Sequence, residues 1–129
     1  FVTMLIGLYD ENTKELILAN AGHEPPIILN DKDEFSNFNE AGPPLGIVKK
    51  TQYQEYKIKF EKSSMYIFTD GITEIKNPKG EELGSIGFQN YITKYKDKPN
   101  NERLQSIIDN VLNSKYLQKD DLTIVVLDA

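Results

Sequence analysis

Ser63-Ser64-Met65-Tyr66-Ile67-Phe68-Thr69-Asp70-Gly71-Ile72-Thr73-Glu74 opens on an apolar run and closes on an acidic turn. Residues 65–68 are too few for an independent helix and mix β-branched with aromatic side chains, so they read as a strand buried on both faces. The run stops at Thr69-Asp70-Gly71, where Gly71 lets the chain turn sharply and leaves Asp70 at the strand's end. Two readings of that acid stand side by side. Asp-Gly after a strand is an ordinary turn signal. A carboxylate delivered by a rigid strand is also where a hard cation or a proton-transfer site is built.

Upstream, residues 2–9 predict a buried strand with Val2, Met4, Ile6 and Leu8 on one face and Leu5 and Tyr9 on the other. Asp10-Glu11-Asn12-Thr13 is a connector of hairpin length, and residues 15–20 return as a second strand. Ala21-Gly22-His23-Glu24-Pro25-Pro26 is a break that neither a helix nor a central strand can cross, after which Ile27-Ile28-Leu29 resumes a short strand. Residues 30–39 are polar and acidic, a surface loop with a short edge strand over 34–38. Ala41-Gly42-Pro43-Pro44-Leu45-Gly46 is a second stiff turn, and residues 53–60 alternate as a strand with one wet face.

Downstream, Lys76-Asn77-Pro78-Lys79-Gly80 is an exposed turn. Phe88, Tyr91, Ile92 and Tyr95 recur at helical spacing, as do Leu104, Ile107, Ile108, Val111 and Leu112 in a second helix. Asp120-Asp121 then leads into the all-apolar strand 122–127. Strands first, joined by tight turns, and two helices late make the class α+β with mostly antiparallel sheets. Strands apolar on both sides need cover on both, from a second sheet or from chain not present here. Phe1 already lies inside a strand, so a segment upstream of it is expected, and residues 1–129 are read as a single domain incomplete at its N-terminus.

The composition narrows the function. With 39% hydrophobic and 27% charged residues the 129-residue chain is an ordinary globular one. A net charge of −5, with lysines scattered among acids, argues against a nucleic-acid partner. No apolar run reaches membrane-spanning length, which argues against a membrane partner and is compatible with a cytoplasmic location. Without cysteine there is neither a disulfide framework nor a thiolate metal site.

If strands 65–68 and 122–127 are antiparallel neighbours, Asp70 at the end of one meets Asp120 and Asp121 at the start of the other. Adjacent carboxylates at a rim repel, so they share a proton or hold a cation. Oxygen ligands, with one histidine and no cysteine in the chain, point to Mg²⁺ or Mn²⁺ over zinc. The plainer alternative is that Asp120 or Asp121 caps a turn.

Three segments, Ala19-Asn20-Ala21-Gly22-His23-Glu24-Pro25-Pro26, residues 66–74 and residues 120–127, resemble the SpoIIE-like branch of the PPM-type metal-dependent phosphatases. Gly42-Pro43-Pro44-Leu45-Gly46-Ile47 resembles the family's Gly-x-Pro-Leu-Gly turn. The resemblance implies part of an α-β-β-α sandwich with a two-metal Mn²⁺ or Mg²⁺ centre between its sheets. It makes Asp70 and Asp120 metal ligands and catalytic residues, with Asp121 beside them, where relatives commonly carry Asn. Gly71 is a further candidate through nearby carbonyls or waters. His23 either touches metal or phosphate or fixes its own turn through the ring nitrogens. Glu74 is a solvated acid at a helix start or a support for Asp70.

The implied reaction is hydrolysis of a phosphoserine or phosphothreonine ester by a metal-bound hydroxide, on a phosphorylated STAS-type antagonist of an anti-sigma factor. The family's first motif, an upstream Asp-Gly at a strand end, is absent from the sequence, so the chain resembles the C-terminal portion and is expected to be weakly active or inactive by itself. The rival expectation is a non-catalytic phosphatase-like module that binds a signalling partner. A third is a homodimer formed through exposed strands.

Overall fold

Asp10 closes the first hairpin: its Oδ1 accepts the backbone N–H groups of Asn12 at 2.9 Å and Thr13 at 3.3 Å, and Lys14 takes a left-handed φ of 60°. The computed structural model describes residues 1–38, 41–113 and 121–129 and divides into two compact units, Phe1–Ser64 with Ala129 and Met65–Asp128. In the first unit, β1 (Met4–Asp10), β2 (Glu15–Ala21) and β4 (Glu55–Lys59) form an antiparallel sheet in the order β1-β2-β4. Register runs from Met4 opposite Ala21 to Asp10 opposite Glu15, and from Glu15 opposite Lys59 to Ala19 opposite Glu55. Leu16, Leu18 and Ala21 of β2 are buried, as is all of β3 (Ile27–Leu29).

Two expectations fail in this unit. β1 is not a buried strand: Ile6 is 60% and Leu8 70% exposed, and Val2 and Met4 are exposed too. Alternation identifies the apolar face but not what covers it, and among the described residues β1 is an edge strand, with β2 as its one strand neighbour. The edge strand over 34–38 shrinks to one bridge between Leu29 and Phe35, with Phe38 edge-on to Tyr56 at 5.4 Å.

In the second unit, β5 (Ser64–Phe68) carries the buried Met65, Tyr66 and Phe68 expected of it. It runs into the one-turn helix α1 (Asp70–Thr73), followed by α2 (Gly84–Tyr95), α3 (Asn100–Asn113) and β6 (Ile124–Asp128). Phe88 of α2 is fully buried against the rings of Tyr66 at 6.2 Å and Phe68 at 5.1 Å, which ties the helix to the strand. Ile92, Ile107 and Val111 complete that core, whereas Leu112, expected on the apolar face of α3, is exposed. β6 keeps its apolar sequence, but Val125 and Leu127 are exposed rather than buried on both sides. The class is α+β with antiparallel sheets, as the sequence predicts.

Candidate metal centre

β5 is rigid because its side chains are sealed in the core, so whatever follows it starts from a fixed point. Thr69 leaves the strand in an extended conformation (φ −93°, ψ 160°) and caps α1. The Asp70 carbonyl then accepts the Glu74 N–H at 2.9 Å and the Thr73 hydroxyl at 3.2 Å. Ile72 and Ile75 are buried and pin the turn from below, which leaves the Asp70 side chain exposed at the top. Glu74 closes α1 instead of opening a helix, which corrects the helix-start expectation.

β6 arrives antiparallel beside β5. The Thr69 N–H donates to the Thr123 carbonyl at 3.1 Å, and the Thr123 N–H donates to Thr69 Oγ1, also at 3.1 Å. Ser63 and Ala129 exchange backbone bonds of 3.2 and 2.9 Å in the same register. Two residues past Thr69, Gly71 is buried with the backbone carbonyl of Asp121 set against it, in space that any Cβ would occupy. That is the close approach for which glycine is needed here. Asp70, Gly71 and Asp121 therefore share one rim of the strand pair, and both carboxylates face solvent. Asp120 lies outside the described residues.

His23 belongs to the first unit and sits in a turn built to hold its shape. Its N–H donates to Asn20 Oδ1 and its carbonyl accepts from Asn20 Nδ2, both at 2.9 Å. The ring's Nδ1 lies 2.8 Å from the Glu24 carbonyl, a pure acceptor, so Nδ1 carries the proton and Nε2 is the acceptor of the neutral ring. Gly22 has a φ of 71°, and Pro44 packs where its Cβ would be. The Gly42 N–H donates to the Asn20 carbonyl at 3.1 Å, and the Tyr53 hydroxyl donates to the Pro43 carbonyl at 2.8 Å. The two Gly-Pro turns thus interlock.

The rim offers carboxylate and carbonyl oxygens, the donors a hard divalent cation takes, and Mg²⁺ is commonly held by one or two carboxylates with waters completing its shell. Among the described residues, no group of three His, Asp or Glu side chains forms a ready-made cage. The donor chemistry fits Mg²⁺ or Mn²⁺, for which Asp70 and Asp121 would be candidate ligands.

A sequence model of the family described as Stage II sporulation protein E (SpoIIE) matches residues 1–129. The chain belongs to the SpoIIE family of PPM-type phosphatase domains. It is 31% identical over 130 residues to the phosphoserine phosphatase RsbU of Bacillus subtilis, covering 98% of this chain and 38% of that protein. This SpoIIE-family chain therefore spans well under half the length of that relative. Its fold is that of solved domains from two bacteria. One holds the RsbU and RsbW domains of Rv1364c from Mycobacterium tuberculosis (TM-score 0.77, 22% identity, 96% of this chain and 35% of that one). The other is the Mn-presoaked phosphatase domain of SpoIIE from Bacillus subtilis (TM-score 0.72, 19% identity, 98% and 55%).

One buried side chain passes unremarked in the sequence patterns. Arg103 is the chain's single arginine among fifteen basic residues, and it is only 6% exposed. A lone arginine in a lysine-rich chain is the signal that could have found it, because a planar five-donor fork does what an ammonium cannot.

Proposed function

We propose that this chain is part of a metal-dependent protein phosphatase that hydrolyses phosphoserine or phosphothreonine on a small regulatory protein. Asp70 and Asp120 are its metal ligands and catalytic residues, with Asp121 beside them. The observation that carries this is the antiparallel pairing of β5 and β6, with Asp121 backbone packed on Gly71 and Asp70 exposed at the same rim. Support for the cation comes from the oxygen-only donors and from the Mn-presoaked relative.

A bound Mn²⁺ or Mg²⁺ would supply acidification of water and neutralisation of phosphoryl oxygens. The chain's own contribution is placement. The buried β5 holds Asp70 still, and the Thr69–Thr123 bonds hold β6 beside it. His23 serves its turn: the hydrogen bonds of its backbone to Asn20 and of its ring Nδ1 to the Glu24 carbonyl hold the loop's shape.

The substrate class is a phosphorylated STAS-type antagonist of an anti-sigma factor, met in the cytoplasm. It is supported by the relative RsbU, by name a phosphoserine phosphatase, and by the RsbU and RsbW domains joined in Rv1364c. No helix among the described residues is long and apolar enough to cross a membrane.

The test is a calorimetric Mn²⁺ titration of this chain beside its Asp70→Asn variant, followed by release of phosphate from a phosphoserine peptide. Binding that the substitution abolishes supports the metal centre. Equal binding by both proteins removes Asp70 from it, and no binding by either shows that these residues do not assemble the centre by themselves.

A further inference from the structure

Arg103 sits in the first turn of α3 with its guanidinium buried. Its Nη1 donates to Asp128 Oδ1 at 2.9 Å and its Nη2 to Asp128 Oδ2 at 3.3 Å, a two-point grip on the last residue of β6. Nε and Nη2 also donate to the Lys98 carbonyl, at 3.2 and 2.9 Å, in the turn between α2 and α3. Nη1 reaches the Tyr66 hydroxyl of β5 at 3.5 Å. One cation thus joins the helical turn, the middle of β5 and the end of β6.

β6 needs such a fixed point. A strand's register is set by its hydrophobic pattern only when one face differs from the other. Leu122-Thr123-Ile124-Val125-Val126-Leu127 is apolar on both faces, and Val125 and Leu127 are exposed. A two-residue slip would exchange one aliphatic side chain for another at little cost in packing. It would also carry Asp128 about 7 Å along the strand, beyond reach of Arg103. A one-residue slip would turn Asp128 to the opposite face. Either leaves a buried cation without its counter-charge, which is the expensive outcome. The same slip would move Asp121 off Gly71 by the same distance, because the strand travels as a unit.

We propose that Arg103 is a positioning residue: its buried fork on Asp128 sets the register of β6 against β5, and so where Asp121 stands beside Gly71 and Asp70. The register follows from contacts seen in the structure, and its bearing on metal rests on the function proposed above.

The experiment compares this chain with Arg103→Met, Arg103→Lys and Asp128→Asn by NMR, reading the cross-strand amide contact between Thr69 and Thr123, with Mn²⁺ titrations in parallel. Arg103→Met and Asp128→Asn are expected to lose that contact. Arg103→Lys keeps the charge without the fork, and is expected to show it weakened, with doubled signals from two registers. Mn²⁺ affinity is expected to fall about ten- to a hundredfold in the same variants. A disulfide across the register, Ile67→Cys with Val125→Cys, should restore both contact and affinity to the Arg103→Lys chain, whereas a merely stabilising Arg103 predicts no such rescue. A full-strength Thr69–Thr123 contact in folded Arg103→Lys and Asp128→Asn, with only a lower melting temperature, overturns the proposal. If no variant binds Mn²⁺ but the contact is lost as described, the register role stands and the metal proposal fails.

Discussion

The backbone carbonyl of Asp121 rests on Gly71 so closely that no side chain can be placed between them. Gly71 is buried in α1, so its neighbours cannot swing away as a flexible side chain would. Gly71→Ala is expected to force β6 from β5 and to destabilise the chain by about 1–3 kcal/mol, the usual cost of overpacking. Urea unfolding measures this. A variant as stable as the parent would mean that the strands part there at no cost.

Asp70 is exposed, so its substitution tests chemistry apart from fold. Asp70→Asn should abolish Mn²⁺ binding while the melting temperature stays level, because the exposed side chain is replaced by one of the same shape. A marked drop in melting temperature would assign Asp70 a structural role instead.

Phe88 is the keystone of the second unit, fully buried against Tyr66 and Phe68. Phe88→Ala should cost about 3–5 kcal/mol, transfer and cavity terms together. Phe88→Leu should recover more than half of that. Denaturant midpoints of the two variants decide the matter, and equal values would show that ring packing contributes little.

Burial pushes the Tyr66 hydroxyl pKa above its ordinary value of 10.0, with the hydrogen bond and charge of Arg103 opposing the rise. The sign follows directly. Below about pH 10 the hydroxyl is neutral in folded and unfolded chains alike, and its contribution to stability is intact. As pH rises past that point the unfolded chain releases the proton more readily, and stability falls. Thermal melting between pH 8 and pH 11.5 should show a decline above pH 10 that Tyr66→Phe reduces. An unchanged decline in that variant would place the alkaline titration elsewhere.

Much of the candidate site is legible in the residues themselves. The run at Met65 to Phe68 requires a buried strand, Thr69-Asp70-Gly71 requires a sharp exit, and two acidic turns flanking apolar strands meet if the strands are antiparallel neighbours. They are. The exposure of β1 was not legible, because side-chain alternation says which face is apolar and nothing about whether another layer lies on it. The start of α2 at Gly84 was also missed, four residues before its first buried aromatic. Gly84-Ser85-Ile86-Gly87 has poor helix propensity, and packing supports it instead: the Leu83 side chain fills the space where Gly87 lacks a Cβ. Arg103 escaped periodicity altogether, since a charged residue on a helix reads as solvated until its partners are known.

The first strand has a consequence for how this chain behaves in the test tube. From Met4 to Tyr9 it carries no charge and no proline before Asp10 ends it, and Met4, Ile6 and Leu8 are exposed along an edge of the described sheet. Those are the properties of a template for fibril growth, with no lysine or proline along the run to blunt the edge before Asp10. Lysine at Ile6 or Leu8 should raise the concentration at which the chain precipitates without touching the acidic rim. Each is therefore a sensible background in which to measure everything else.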